Sequence, residues 1–562
     1  MEGKELKMKR YFVIIWVVGI LLFSSSEVMA AEPIQVNAPP VACFVIEGEE
    51  YTKGQDIKVI NKSYDPDGDL IVDVIWQTLG DVKISAPSIQ ALTEKLQGKS
   101  YVIGVKVKDN KGEWSEWQLH NLNLKENQQP VITRLETTQK EYKIGETIKI
   151  EYEYDNESWE TIEEEMWSYR QVNNPEAKSI EEKPIKIFKA GEYEVTLNLK
   201  DCFGNWSLPK TYMITITEEV AQTELSYHFT QNIPGSIIRN EQQIEYRNYQ
   251  EVPYEQSGVE KGTLIISNSP EIVKEKGILY RDIVKGKGRV VIHHLNGFTQ
   301  QQLSKESKRL MVIAQNQTAT PVKITISKRS VKGPDKNVLH AGQKSVQGYL
   351  ESTMHIDYTI APGEGVYIYD SKPSNWDSDT VITGMFNFET DGPLRLTVAV
   401  GGPKTEIEHL NNMVALNKDN HIRGTYDTLT RYYHIDATQL ENSAKLLIGS
   451  DKEEWAVGYD AITGETVYNR GNYGIEHSLK VITKDPLGIL LNARGGMYTG
   501  AIKWMDGRVV KTPKTSYFEY KDKAAVVGVM SQKQEGEYIY ILPNGSSAPV
   551  LFGFLPQRQW NQ

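Results

Sequence analysis

Tyr101-Val-Ile-Gly-Val-Lys-Val-Lys-Asp109-Asn-Lys-Gly112-Glu-Trp114-Ser115 has a counterpart in Tyr193-Glu-Val-Thr-Leu-Asn-Leu-Lys-Asp201-Cys-Phe-Gly204-Asn-Trp206-Ser207, about 90 residues further on. Both begin with period-two alternation rich in aliphatic and aromatic residues, the pattern of a half-buried strand, and both end in a turn marked by Asp and Gly. Other anchors keep the same register: Pro40-Val41 with Pro130-Val131, then Tyr51, Gly54 and Ile57 with Tyr142, Gly145 and Ile148. Tyr64-Asp65 corresponds to Tyr154-Asp155, and Trp76 to Trp167. A duplication that holds aromatic, Gly and Asp positions in step preserves a fold rather than a reaction centre. Each repeat holds about seven short runs separated by Gly, Pro, Asn or Asp, which predicts an antiparallel sandwich. Trp76 and Trp167 are read as the large rings between its sheets.

Three elements of the first repeat resemble the polycystic-kidney-disease (PKD) type of immunoglobulin-like domain. They are Asn61-Lys-Ser63-Tyr-Asp65-Pro-Asp67-Gly68-Asp69, Trp76, and Val105-Lys-Val-Lys-Asp109-Asn-Lys-Gly112. In the second repeat Asp155-Asn-Glu-Ser replaces the Asp-Pro-Asp-Gly turn, so only Trp167 and Asp201-x-x-Gly204 carry the likeness. The resemblance implies immunoglobulin-like sandwiches acting as spacers or contact modules of exported bacterial proteins.

A chain of 562 residues exceeds what one hydrophobic core fills, so several domains are expected. Lys4, Lys7, Lys9 and Arg10, the apolar run from Tyr11 to Phe23, and Ser24 to Ala30 have the order of a secretory signal with cleavage after Ala30. The apolar run is short for a membrane span, so no span is expected in the mature chain, although a retained anchor is the alternative. Removing residues 1–30 takes away four basic and three acidic groups and changes the net charge from −11 to −12. Such a surface repels phosphate backbones, and nucleic acid is not expected as a partner. The expected order is a signal peptide (1–30), a lead segment (31–39), two PKD-like sandwiches (40–126 and 130–219), and a larger all-β region (220–562) of one or two domains. Cys43 and Cys202 do not occupy equivalent repeat positions, and whether they pair is left open.

The region after Glu219 continues as short strands bounded by turns, for instance Gly288-Arg-Val-Val-Ile-His-His-Leu-Asn296, Gly365-Val-Tyr-Ile-Tyr-Asp370 and Leu394-Arg-Leu-Thr-Val-Ala-Val. No helix beyond two or three turns is expected, and residues 406–418 and 436–444 are the best helical candidates. His294-Leu-Asn296-Gly297, Ala314-Gln-Asn316, Val331-Lys-Gly333-Pro334 and Asn492-Ala-Arg494-Gly495-Gly496 resemble a segment of uncharacterised exported proteins of Gram-positive bacteria. That likeness spans about 270–555 and implies no activity.

Asp65, Asp67 and Asp69 stand at positions one, three and five of a tight loop, a spacing at which hard oxygen donors converge on calcium. Position twelve is Trp76 rather than a bidentate Glu, and an Asx-stabilised turn is the competing reading. His293 and His294 are adjacent and point to opposite faces of a strand, so one is expected inside or facing solvent and they do not share a metal. His355, His421, His434 and His477 are scattered and form no zinc motif. Asp427 and Asp436, in a stretch rich in titratable and aromatic groups, are the pair that a glycan hydrolase would need. Trp114, Trp117 and Trp206 follow the final turns and serve either packing or contact with a sugar or partner. Asn469-Arg470-Gly471-Asn472-Tyr473-Gly474 and Asn492-Ala-Arg494-Gly495-Gly496 read as structural turns, with an anion-gripping rim as the alternative.

No nucleophile elbow and no phosphate-cradling glycine loop occurs in the sequence. The expected protein is therefore secreted or held at the cell envelope, noncatalytic, and bound to a cell-wall polymer, polysaccharide or extracellular protein. No catalytic residue is assigned and no cofactor is expected beyond calcium. The alternatives are an extracellular glycan-directed hydrolase with its site in the C-terminal region, or an accessory module of an exported enzyme.

Overall fold

The structure, a computed structural model, describes residues 37–80, 82–239, 244–372, 376–517 and 523–561. Residues 1–30, read above as a secretory signal, lie outside them. The chain is all-β, and its contacts gather it into two compact units. One contains the residues up to Ile132 together with Tyr154–Glu165 and Leu199–Leu208; the other contains Thr133–Glu153, Met166–Asn198 and the chain from Pro209 onward.

In the first repeat, five strands form one sheet in the order Glu50–Thr52, Gln118–Lys125, Lys99–Asp109, Ile71–Leu79, Ser85–Ala86. Phe44–Ile46 and Val59–Asn61 pair as a second, two-stranded layer. The alternation read from Tyr101 to Lys108 is realised in its second half: Ile103, Val105 and Val107 are fully buried while Lys106 and Lys108 stay partly exposed. Trp76 fills the space between the layers, edge-on to Phe44 at 5.3 Å, among Tyr51, Leu122 and Leu124.

The second repeat pairs Ile162–Gln171, Gly191–Asp201, Lys210–Val220 and Glu141–Ile144 in that order, with Val131–Thr137 on Ile150–Asp155 as the other layer. Trp167 takes the place of Trp76, with Tyr152 edge-on at 5.8 Å.

The same turn closes both repeats. Asp109 is buried and its Oδ1 accepts the amides of Lys111, Gly112 and Glu113; Asp201 is buried and its Oδ1 accepts those of Phe203 and Asn205. Gly112 and Gly204 have φ of +105° and +89°, a conformation that a side chain would strain. Cys43 and Cys202 are free thiols.

Among the described residues, the C-terminal region forms a mixed sheet of 15 strands and a second sheet of six. The backbone of the larger is the antiparallel pair Gly277–Asn296 and Val381–Gly401, of 20 and 21 residues. Tyr254–Ser267 runs parallel to the first of these and antiparallel to Arg423–Asp436, which in turn runs parallel to Glu476–Ile482. Two cores result. Ile265, Leu279, Ile292, Val312, Ile324 and Phe386 pack together within the larger sheet. Ile435, Leu479, Val481 and Tyr538 pack on Leu487, Ile489, Val527, Phe552 and Phe554 of the smaller.

The helices differ from expectation. Val338–Glu351 is a helix of 14 residues, capped by the Asn337 side chain on the His340 amide and buried through Ala341, Val346, Tyr349 and Leu350. Its glycines at 342 and 348 weaken helix propensity, and burial of one face overrides them. In 406–418 only Ile407–Asn411 turns, as a 3-10 helix, and 436–444 contains no helix because Asp436 ends one strand and Ala444 begins another. No helix of the described residues is long and apolar enough to cross a membrane.

Candidate functional site

Asp427 and Asp436 do not converge. They lie on one strand, Arg423–Asp436, nine residues apart, which is about 30 Å of extended chain against the 5–10 Å that paired carboxylates require. Asp427 is ion-paired to Lys261 at 2.6 Å, and Asp436 accepts from the amide and hydroxyl of Thr438. The acid-base pair of the hydrolase alternative is therefore not assembled from these residues.

The histidines are mostly structural. His293 and His294 are both buried, so neither faces solvent, because residues 288–294 of the Gly277–Asn296 strand are covered on both faces. His294 lies between Ser267 Oγ and the Pro270 carbonyl, each at 2.9 Å. His477 is enclosed by the rings of Tyr433 and Tyr540, at 5.8 and 5.9 Å. Burial holds all three well below the usual histidine range, at about 3 for His293, 4 for His294 and 3 for His477. His421 is partly exposed, with Nε2 at 2.9 Å from Glu271 and Nδ1 at 3.1 Å from Asp419. Ser269 completes this group, but its hydroxyl donates to Asp419 at 2.7 Å rather than to the imidazole, so the set clamps two loops and activates no nucleophile.

Trp76 and Trp167 are core rings, as their repeat positions imply. Trp114 and Trp117 are half-buried and share the Lys106 ammonium, at 4.6 and 4.9 Å from their ring centres, while Lys200 lies 5.6 Å from the ring of Trp206. Lysines thus occupy these ring faces. The Gly-Arg turns are built into the region's frame: Asn469 is buried and brackets the Tyr473 backbone, while Asn492 donates to the Tyr246 hydroxyl and the Lys523 carbonyl. Asn296 and Asn316, which carry part of the C-terminal resemblance, are likewise buried and bonded to backbone.

Asp65, Asp67 and Asp69 do come together, with one carboxylate oxygen from each inside 4.8 Å of the others. Asp65 Oδ1 accepts the amides of Asp67 and Asp69, which is the Asx-turn geometry, while its Oδ2 is buried without a hydrogen-bond partner among the described residues. Three converging carboxylates, one of them with a buried oxygen that lacks a partner, fit a calcium ion. Lys111, 3.4 Å from Asp69, competes for the same charge.

The residues that form an accessible concavity in the C-terminal region were only partly evident in the sequence. An open groove of about 700 Å³ lies on the outer face of the larger sheet, lined by Ser257, Tyr432, Ser478, Lys480, Asp506 and Glu537 among others. The register explains it. Tyr432 stands opposite Gly258 on one side and Ser478 on the other, so small neighbours leave its ring 39 % exposed. Around the ring, Lys480 pairs with Glu535 at 2.7 Å and Ser478 donates to Glu537. Burial opposes ionisation of Asp506, but hydrogen bonds from the Arg508 amide and guanidinium prevail and hold its carboxyl below the usual range. The aromatic density around Tyr432 is visible in the sequence; Lys480, Asp506 and Glu537 join it only through strand pairing across 105 residues of chain from Tyr432 to Glu537.

No family model matches this chain, and no curated protein matches it either. Among solved structures it is similar to the fibronectin(III)-like modules of Clostridium thermocellum CbhA, at 16% identity over 31% of this chain and 95% of that one, with a TM-score of 0.15. A 1.5-MDa bacterial ice-binding adhesin is matched at 10% identity over 77% of this chain and 96% of that one, with a TM-score of 0.19. SGBP-B of the Bacteroides ovatus mixed-linkage glucan utilization locus, in complex with a heptasaccharide, is matched at 10% identity over 65% and 100%, with a TM-score of 0.12. Superpositions this loose decide nothing about activity, and the functional reading rests on the chain's own groove.

Proposed function

We propose that this chain is an exported, noncatalytic binding protein of a Gram-positive cell surface, in which residues 220–562 hold a polysaccharide or cell-wall polymer. The sandwiches 40–126 and 130–219 are PKD-like spacer or contact modules, and residues 1–30 are the secretory leader. The observation that carries the reading is the exposed Tyr432 ring in its groove, framed by Ser257, Ser478, Lys480 and Glu537. A flat apolar ring face flanked by hydroxyl, ammonium and carboxylate groups suits a ligand that is apolar on one face and rich in hydroxyls at its rim, as a sugar ring is. The carboxylates there are engaged by Lys480, Ser478 and Arg508, which favours holding over proton transfer. Calcium at Asp65, Asp67 and Asp69 would stiffen the first sandwich and takes no part in binding the polymer.

The test is retention of the purified full-length protein on insoluble cell-wall and glycan preparations, with Tyr432→Ala beside it. Truncating a central aromatic contact weakens binding by about 2 kcal/mol, roughly thirtyfold. Equal retention of both proteins, or none above an albumin control, would discard the groove.

A further inference from the structure

A second concavity, of about 1010 Å³, lies in the other part of the same compact unit and is absent from any reading of the sequence. It is formed by the segment 169–193 of the second repeat, by residues 224–239 with the helix Glu224–Gln231, and by Lys514 and Thr515. Its charge runs against that of the chain. Seven cationic side chains line it, Arg170, Lys178, Lys183, Lys186, Lys189, Arg239 and Lys514, against three acidic ones, Glu182, Glu218 and Glu224, in a protein whose net charge is −11.

The arginines are already committed, Arg170 to Glu194 at 2.9 Å and Arg239 to Glu182 at 3.1 Å. Three of the lysines are not, whereas Lys183 lies 4.7 Å from the Trp167 ring centre. Lys178, Lys189 and Lys514 are exposed, and their side chains have no ion-pair or hydrogen-bond partner among the described residues. Lys186 is half-buried, with its ammonium on the Gly145 carbonyl and 5.3 Å from the Tyr227 ring, and burial lowers its pKa. Between these charges the lining is aromatic: Phe188 and Tyr227 lie 5.6 Å apart, and Tyr169 and Tyr193 lie 6.2 Å apart. Like charges gathered round a cavity repel one another, and an incoming anion relieves that repulsion.

We infer that this cleft binds an acidic polysaccharide beside the Phe188–Tyr227 pair, with its anionic groups met by Lys178, Lys186, Lys189 and Lys514. Lysines act as point charges without the directional fork of arginine, which suits anions spaced along a flexible chain. The cleft accepts a short oligosaccharide, whereas a nucleic-acid duplex would meet a chain whose net charge is −11. The site is separate from the Tyr432 groove and does not depend on the function proposed for that groove.

The experiment is calorimetric titration of the full-length protein with hexagalacturonate, maltohexaose and the hexanucleotide (dT)6 at low ionic strength. Saturable binding of hexagalacturonate that weakens with salt, at least tenfold tighter than maltohexaose, supports the cleft. The triple substitution Lys178→Glu, Lys189→Glu, Lys514→Glu should weaken it at least tenfold, with an unchanged melting temperature because all three side chains are exposed. Lys186→Met, which removes the half-buried charge without adding another, should weaken it in the same direction. No binding of hexagalacturonate, equal binding of maltohexaose, or indifference to both lysine variants overturns the inference. Tighter binding of (dT)6 with the same lysine dependence overturns the glycan assignment.

Discussion

Arg423 closes on Asp460 in the interior of the C-terminal region, its Nε and Nη2 reaching the same Oδ2 at 3.0 and 2.8 Å, with both side chains almost wholly excluded from solvent. The remaining guanidinium nitrogen donates to the Leu279 and Leu416 carbonyls, and Asp460 Oδ1 accepts the Ile462 amide. The stretch from His421 to Asp436 reads in sequence as a concentration of titratable groups suited to chemistry. Its most deeply placed charge is instead a tie between a strand and a loop.

Removing one partner of this pair strands the other charge in the core. Asp460→Ala is expected to destabilise the chain by about 3–5 kcal/mol, while replacing Arg423 and Asp460 together by apolar residues of matching volume should cost much less. Urea denaturation of the two variants checks this. A loss below about 1 kcal/mol for Asp460→Ala would show that the charge escapes to water.

The duplicated turn gives a matched pair of experiments. Ser115 Oγ accepts the Val107 amide at 3.1 Å and Ser207 Oγ accepts the Leu199 amide at 2.9 Å, both buried and at equivalent points of the two repeats. Each Ser→Ala change leaves a buried amide unsatisfied and is expected to cost about 1–3 kcal/mol. Thermal melts should show similar losses for the two. A large loss at one site and none at the other would mean that the repeats do not share this device.

These residues also show what the sequence could reveal. Short-range features were legible: alternation placed Ile103, Val105 and Val107 inside, and the Asp-x-x-Gly spacing located the turns at Asp109 and Asp201. What failed was anything decided by distant pairing. Asp427 and Asp436 are neighbours in sequence and separate along a strand, whereas Tyr432, Lys480 and Glu537 are far apart in sequence and adjacent across three strands. The helix Val338–Glu351 escaped because two glycines disguise it, and which way His293 and His294 point could not be read because residues 288–294 are covered on both faces.

Acid should unfold this protein through its buried imidazoles. His293, His294 and His477 are held neutral by burial at about 3, 4 and 3, against about 6.5 in an unfolded chain. As pH falls below about 6.5 the unfolded state takes up protons that the folded state refuses, so stability is complete above that value and declines toward pH 4. Each group contributes a slope of up to about 1.4 kcal/mol per pH unit, or about 4 for the three together. Urea midpoints measured from pH 7.5 to 4.5 should fall steeply, and His477→Phe should flatten the curve. A pH-independent midpoint over that window would show that these rings reach protons in the folded state.

Calcium decides between the two readings of the Asp65 loop. If the ion binds Asp65, Asp67 and Asp69 with the millimolar to submillimolar affinity of extracellular modules, 10 mM calcium stabilises the first sandwich by about 1.4–2.7 kcal/mol over a chelated sample. Asp67→Asn removes one carboxylate charge but leaves the turn, because the amides of Asp67 and Asp69 are held by Asp65 Oδ1. In that variant calcium should stabilise markedly less, whereas a loop that is only an Asx turn gives the same melt with calcium and with chelator in both proteins. Substituting Lys111→Gln discriminates further, since its ammonium lies 3.4 Å from Asp69 and opposes a cation in the same place. Calcium affinity should rise in the Lys111→Gln protein, and an unchanged or lower affinity would place the ion elsewhere.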